Sequence, residues 1–539
     1  MFLRDFNAKV EGDLMRKFNV TGVCTPEENY MVDITGKLKQ IKAMVDEKDY
    51  FVINRGRQYG KTTTLFSLEH FLKNEYIVIA ISFEGWGDKS FADEGAFCQE
   101  FLNSIKEALE ISGYSADEQA KWENESVQTF PALGRHIRKI CQNQSQKYVL
   151  MVDEVDKASN HLVFLNFLGL LRSKYLARKV KKDFTFHSVI LVGVYDIRNI
   201  KLKMISEGVY VQTTGETVIH NSPWNIAASF KVEMAFSVSE IMTMLAEYEK
   251  DHQTGMDLSE VATEIYHYTR GYPVLVSSIC NYIDGELKKD WTAVGVRQTV
   301  KLVFKESSPL FEGLITNLNN NKAFSKLVYH ILMLDVKLPF NLDDPLVNLG
   351  VRYGYFSDMG RGVSISNKIF EIRLTNYFTN QNLQEKIQGY PFSQADTDGV
   401  IQHGAFNMQN CLEKFSKYYH QYYSQNDVTF FEREARKLFL IFVSAIINGG
   451  GFAYMESEQG DGRRTDVIVN FLRQQFIVEL KIWRGGQAHE KAQSQLLGYM
   501  DKLSLNEGYL LTFDFREKKE CHQKWLEFDN GKKIFDVRV

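Results

Sequence analysis

Hydrophobic and polar positions change period several times along the chain, and each change predicts an element. Leu38, Ile41, Met44 and Val45 fall at helical spacing, and residues 50–54 then form a short apolar, β-prone run. Residues 62–73 return to helical spacing with Leu65, Leu68 and Leu72 on one face. Residues 76–82, 148–152 and 188–192 are continuous apolar runs, the pattern of parallel strands buried on both faces. Helical stretches separate them, so an α/β domain with a mostly parallel sheet is expected at the N-terminal end.

From 237 to 248 the pattern is helical, with Ser237 or Ser239 as the N-cap. Thr269-Arg-Gly-Tyr-Pro273 reads as a turn followed by another helix. Residues 300–380 are mainly helical and include a short β-rich, glycine-containing stretch at 353–365, and the polar stretch 380–408 reads as a linker. Beyond 411 a helix at 432–447 ends at Gly449-Gly-Gly451. Three strands are expected at 452–456, 465–471 and 475–482, then a helix at 490–503 and an apolar run at 509–513. No fixed-period repeat interrupts this order.

A chain of 539 residues is too long for one core, and a prior of about 150 residues per domain gives three or four units. The formal net charge of −4 does not mark a nucleic-acid binder, although a local basic patch can hide in a whole-chain sum. The six cysteines, at 24, 98, 141, 280, 411 and 521, have no metal-ligand spacing and read as reduced thiols of an intracellular protein. The N-terminal residues lack a signal-peptide core, and no run of about 18 apolar residues occurs. A cytoplasmic protein without a membrane span is expected.

Two constellations carry chemistry. The first is Arg55-Gly-Arg-Gln-Tyr-Gly60-Lys61-Thr62, a near-match to the phosphate-loop pattern GxxxxGK[ST] with Arg55 at the first glycine position. Small residues let backbone N–H groups close round a polyphosphate, Lys61 meets the β/γ oxygens and Thr62 offers a hydroxyl to Mg²⁺. Arg57, Gly60, Lys61, Thr62, Thr63 and Asp153 form the candidate nucleotide set. The loop follows an apolar strand and opens a helix, as that chemistry requires. About 90 residues on, Val149-Leu-Met-Val-Asp153-Glu154 puts Asp153 at a strand's end to hold Mg²⁺ through water. Glu154 then orients or deprotonates the attacking water.

Residues 50–64, the Val152-Asp-Glu-Val-Asp156 run and the upstream segment 22–33 resemble the bacterial AAA-type ATPase-like family often fused to a nuclease domain. An Arg at the first loop position is usual there. The resemblance extends to signalling P-loop ATPases, which implies a small helical lid, matched at Gly271-Tyr-Pro273, and a winged-helix-like module at about 300–380. It also makes Arg198, Asn199 and Arg270 candidate sensors, each equally consistent with a surface role.

The second constellation is Asp466, then Glu479-Leu-Lys481. Strand side chains alternate, so Glu479 and Lys481 share a face, and an adjacent strand can bring Asp466 beside them. Two carboxylates and an ammonium suit one or two Mg²⁺ ions and a hydroxide attacking a phosphodiester. Glu434, on the preceding helix, can complete the metal shell, and Gln495, on the following one, can position the site. The arrangement resembles the PD-(D/E)xK nuclease superfamily, with Thr465 where a proline often stands. Arg463 and Arg464 are placed for a phosphate contact or a simple turn. The cluster Arg172, Lys174, Arg178, Lys179, Lys181 and Lys182 reads as a solvated helix face and loop, with nucleic-acid contact as the alternative.

The expected architecture is a P-loop NTPase core with its N-terminal element (1–225), a helical lid (226–300), a winged-helix-like module (301–380), a linker (381–410) and an α/β PD-(D/E)xK nuclease-like domain (411–539). The expected function is an ATP- and Mg²⁺-dependent hydrolase. It would use Glu154 for ATP and Asp466, Glu479 and Lys481 for DNA cleavage, with Thr62, Asp153, Glu434, Asp466 and Glu479 as metal ligands. Nucleotide-dependent homo-oligomerisation belongs to this reading, and the family resemblance implies mobile-element or defence biology. The alternative is a signalling ATPase whose nuclease-like domain only binds nucleic acid; a scaffold with nucleotide as a structural ligand stands third.

Overall fold

The structure is a computed structural model that describes residues 16–142, 144–193, 224–287, 289–334, 336–358, 360, 362–385, 399–422, 432–447, 450–457, 464–516 and 521–539. For Glu434, Arg464 and Asp466 the description is of the backbone alone. The chain divides into two compact units, one of residues up to Gln253 with 271–277 and 352–354, the other of 254–270, 278–351 and 355–539.

The first unit is built on a parallel sheet of β1 (Tyr50–Asn54), β2 (Tyr76–Ser82), β3 (Lys147–Asp153) and β4 (Ser188–Gly193), in the order β1-β4-β3-β2. Each strand is one of the apolar runs, because helices cover both faces and neither side of the pleat meets water. Helices α1 (Thr35–Asp46) and α2 (Lys61–Leu72) cover one face, where Ile41, Val45, Leu65, Leu68 and Leu72 meet Phe51, Val78, Met151 and Ile190. On the other face lie α3 (Glu94–Ile111), α5 (Phe130–Gln142) and α6 (Leu162–Lys179), with the short α4 (Ala116–Ala120) between the first two in sequence. The helix α7 (Val238–His252) opens with a capping box. Ser237 Oγ accepts from the Glu240 amide at 3.2 Å, and Glu240 Oε2 accepts from the Ser237 amide at 2.7 Å.

The basic cluster at 172–182 is not uniformly solvated. Lys174 is buried, and its Nζ donates to Asp183 Oδ2 at 2.8 Å and the Gly134 carbonyl at 2.9 Å. The chain turns back after α6 and carries Asp183 to the inner side of that helix, a fold-back that helical spacing alone does not reveal.

In chain order the remaining helices are α8 (Leu258–Thr269), α9 (Pro273–Gly285), α10 (Ala293–Lys305), α11 (Pro309–Asn320), α12 (Lys322–Met333), α13 (Pro345–Arg352), α14 (Lys368–Glu385), α15 (Met408–Tyr422), α16 (Glu432–Ile447) and α17 (Gly486–Lys502). A hairpin of β5 (Phe356–Asp358) and β6 (Val363–Ile365) sits between α13 and α14. The stretch read as a linker includes the end of α14, which runs to Glu385, and a short hairpin of β7 (Ile401–Gln402) and β8 (Ala405–Phe406).

The second unit's main sheet has six strands: β9 (Gly451–Ser457), β10 (Arg464–Phe471), β11 (Gln474–Ile482), β12 (Glu507–Phe513), β13 (His522–Glu527) and β14 (Lys533–Arg538), in the order β13-β14-β12-β11-β10-β9. The first three form an antiparallel meander, and β11, β12 and β14 run parallel. Aromatics of α15 pack on one face: Phe415 and Tyr419 reach Phe513 at 6.2 and 5.2 Å between ring centroids. The opposite face bears Glu479 and Lys481. Part of it meets α17, and the β9 end meets helices α8 and α10, where Tyr268 and Phe304 touch Phe452.

The glycine run before β9 is dictated by close approach. A Cβ on Gly451 would stand 2.1 Å from the Asn470 carbonyl oxygen of β10. Gly451→Ala is therefore expected to destabilise the second unit by about 1–3 kcal/mol through strand displacement. Chemical denaturation of the full chain checks this, and an unchanged second-unit transition removes the argument.

Candidate functional site

The two constellations lie in different units, and each is assembled by strand ends. In the first, β1 delivers the loop 55–60, and Gly60 turns it into α2 with a left-handed φ of 71°. Among the described residues no side chain caps that helix, which leaves first-turn amides directed at the loop. Lys61 is buried, and its Nζ donates to the carbonyls of Arg55 at 3.1 Å and Gly56 at 2.9 Å. Burial pushes the Lys61 ammonium below its ordinary pKa, against the pull of Glu154, Asp156 and Asp153.

Strand β3 brings the acids. Thr62 Oγ1 donates to Asp153 Oδ2 at 2.8 Å across 91 residues of sequence, and Asp153 Oδ1 accepts from the Glu154 amide at 2.9 Å. Glu154 itself has a left-handed φ of 51°. Burial, then the Asp153 charge, raises its carboxyl above the ordinary range. Hydroxyl, carboxylate and cation thus converge where a Mg²⁺–polyphosphate would need them, and the donor set fits that group.

Arg57 and Thr63 behave differently from the core of the set. The Arg57 side chain is exposed, and its carbonyl accepts from Tyr272 Oη at 2.6 Å. Thr63 turns towards the N-terminal element, where its Oγ1 accepts from the Cys24 amide at 3.3 Å. Behind it opens a cavity of about 140 Å³ with a largely apolar wall that includes Val20, Met31, Phe236, Met244 and Val274. Sequence reading missed this wall and the Tyr272 contact. The Gly271-Tyr-Pro273 turn was a signal for the latter, but nothing in residue spacing tied it to the loop.

In the second unit, Asp466 and Glu479 are register partners of the antiparallel β10–β11 pair, as strand adjacency requires. The β9–β10 register shifts between Arg464 and Asp466, a local irregularity of the kind that re-aims strands near active sites. Glu479 is fully buried, and Lys481 Nζ lies 2.5 Å from its Oε1. Gln495 is half-buried on α17. The side chains of Glu434, Arg464 and Asp466 lie outside the described residues, as do Arg198, Asn199 and Arg463 altogether. Among the described residues no group of three or more His, Cys, Asp or Glu is placed to hold a metal ion. The candidate sensor Arg270 closes α8 in a left-handed conformation, with its guanidinium over the Tyr266 ring.

The same sheet face carries a polar group that sequence reading did not single out. Glu479 aligns with Leu510, and Leu510 with Asp536, so Asp536 stands two strands away, about 10 Å. Asp536 Oδ2 accepts from His489 Nε2 at 2.8 Å and His522 Nε2 at 3.0 Å. Burial opposes the Asp536 charge, but these bonds outweigh it and hold the carboxyl below its ordinary range. Acid and histidines come from separate elements, so no local motif announces them.

Among the described residues, no helix is long and apolar enough to cross a membrane. No curated protein matches the chain. Solved structures similar to it include a Walker-type ATPase of Pyrococcus abyssi, at 12% identity and a TM-score of 0.45, covering 66% of this chain and 99% of that one. A RuvB mutant of Thermotoga maritima is similar at 13% identity and a TM-score of 0.31, covering 63% and 94%. The ORC2 protein of Aeropyrum pernix is similar at 13% identity and a TM-score of 0.36, covering 69% and 98%. Family comparison matches the AAA-like domain to residues 35–294 and the PD-(D/E)XK nuclease superfamily to residues 451–524. The chain therefore combines an AAA-like domain with a C-terminal PD-(D/E)XK nuclease-superfamily domain.

Proposed function

We propose that this protein binds and hydrolyses ATP in its first unit and uses that cycle to control Mg²⁺-dependent DNA cleavage in its second. The observation that carries the nucleotide half is the Thr62–Asp153 hydrogen bond beside the buried Lys61. The nuclease half rests on the Asp466–Glu479 register pair with Lys481 on the same face.

In this reading the uncapped start of α2 and the Lys61 ammonium receive the β/γ-phosphates, and the apolar cavity beside Thr63 receives the nucleoside base. Thr62 and Asp153 would hold the Mg²⁺, which when bound would neutralise phosphate charge and orient the leaving group. Glu154 accepts a proton from the attacking water. Activity needs this carboxylate deprotonated, so turnover is expected to fall on the acid side of the ATPase pH–rate profile. Glu154→Gln is expected to keep nucleotide binding and lose turnover, and full turnover in that variant would remove Glu154 from the role.

At the second site Asp466 and Glu479, with Glu434, supply metal oxygen ligands, and Lys481 meets the charge developing on the phosphodiester. Cytoplasmic location, nucleotide-dependent self-assembly and a part in mobile-element or defence biology accompany this reading. Full burial of Glu479 favours a second reading, a signalling ATPase whose nuclease-like domain binds nucleic acid without cutting it. Incubation of plasmid DNA with the full chain and Mg²⁺ or Mn²⁺, with and without ATP, separates the two. Cleavage supports the first reading; binding without cleavage under all of these conditions supports the second.

A further inference from the structure

The β9 end of the six-stranded sheet holds a cavity of about 300 Å³ between α10 and strands β9 and β10, lined by Arg297, Lys301, Gly451, Phe452, Asn470 and Arg473. Its polar groups are mainly donors. Asn470 is buried at 4% exposure. Its Oδ1 accepts from Gln475 Nε2 at 3.1 Å, while its Nδ2 has no hydrogen-bond partner among the described residues. A buried amide with both N–H groups unmet costs about 1–3 kcal/mol, so the site is built to have them met by something else.

The surrounding charge says what that is. Arg297 is paired with Glu264 at 2.9 Å, and Arg473 lies 3.5 Å from Asp290 with most of its side chain in solvent. The Lys301 ammonium is held below its ordinary pKa by burial and by Lys305. Among the described residues, three cations against two acids, plus two unmet N–H donors, leave the cavity positive and acceptor-seeking.

Its position relates it to the nuclease site. Asn470 follows Asp466 by four residues on β10 and faces the same side of the sheet, about 13 Å away. DNA carries a phosphate about every 3.4 Å of axis along each strand. A DNA backbone running along β10 past the carboxylates therefore also passes the cavity.

We infer that this cavity is a secondary phosphate site for the DNA backbone, in which Lys301 supplies the charge and Asn470 Nδ2 the hydrogen bonds. The inference rests on the DNA-cleaving reading of the second unit. It assigns helix α10, outside the nuclease-superfamily match, a share of the substrate path.

The test measures equilibrium binding of a labelled 20-base-pair duplex to the full chain in Ca²⁺, over a series of salt concentrations. Lys301→Ala is expected to lower the slope of log affinity against log salt by about one, the signature of one lost phosphate contact. Asn470→Asp keeps the acceptor for Gln475 and the side-chain shape but places a carboxylate at the phosphate. It is expected to weaken binding at least ~10-fold. Thermal unfolding of Lys301→Ala is expected to match the parent, and that of Asn470→Asp to remain cooperative with a shifted midpoint. If the parent binds the duplex but both variants bind it with parental affinity and slope, water meets the Asn470 donors and the cavity lies off the DNA path. If the parent binds no duplex at any salt, the DNA reading itself falls and takes this site with it.

Discussion

Lys61→Ala is expected to lower ATP affinity at least ~10²-fold, about 2.7 kcal/mol, the usual worth of a desolvated charged contact. In the structure the ammonium is held inside its own loop by the Arg55 and Gly56 carbonyls, so its position is fixed before any phosphate arrives. Alanine leaves those carbonyls facing the phosphate position without the cation that screens them. Arg57 does not replace it, because its side chain is exposed. The folded state itself should lose little. Burial disfavours the Lys61 charge, and the packing face of α2 is carried by Leu65, Leu68 and Leu72. Thermal unfolding at or above the parental temperature, together with lost binding of a fluorescent ATP analogue, is the expected pair of results. An affinity equal to the parent's would detach Lys61 from the nucleotide.

Both candidate sites are legible in sequence to the extent that one strand or one loop carries them. The runs at 50–54, 76–82, 148–152 and 188–192 appear as strands because burial on both faces leaves no polar positions to blur them. Gly60-Lys-Thr62 and Asp153-Glu154 could be read because each sits at the end of such a run. The Glu479–Lys481 pair follows from strand alternation alone. What escaped depends on contacts between distant segments. The apolar cavity draws Val20, Phe236 and Val274 from three parts of the chain, and no periodicity joins them. Strand β13 is largely exposed along its length, while β14 interrupts its apolar run with Asp536 and Arg538, so neither matches a simple strand pattern. Asp536 and Arg538 are nevertheless buried, the acid because His489 and His522 bond to it. Lys174 misled for the same reason, since its partner Asp183 lies beyond the helix end.

The proposed nuclease site gives the second large effect. Glu479→Gln, Asp466→Ala and Lys481→Ala are each expected to slow Mg²⁺-dependent DNA cleavage at least ~10²-fold, the scale of a lost metal ligand or charge-stabilising group. Gln at 479 is the most informative change. It keeps the volume of a fully buried side chain and a possible hydrogen bond with Lys481, yet removes the charge that a metal ion needs. Its fold should survive where alanine would leave a cavity. Asp466 stands opposite Glu479 in the β10–β11 register, so loss of either carboxylate leaves one strand unable to contribute to a shared metal. ATP hydrolysis should persist in all three variants, because Lys61, Thr62, Asp153 and Glu154 belong to the other compact unit. Cleavage at parental rates by Glu479→Gln and Asp466→Ala would show the site to be misassigned. Loss of ATP hydrolysis along with cleavage would instead show that the carboxylates support the whole protein rather than the cut.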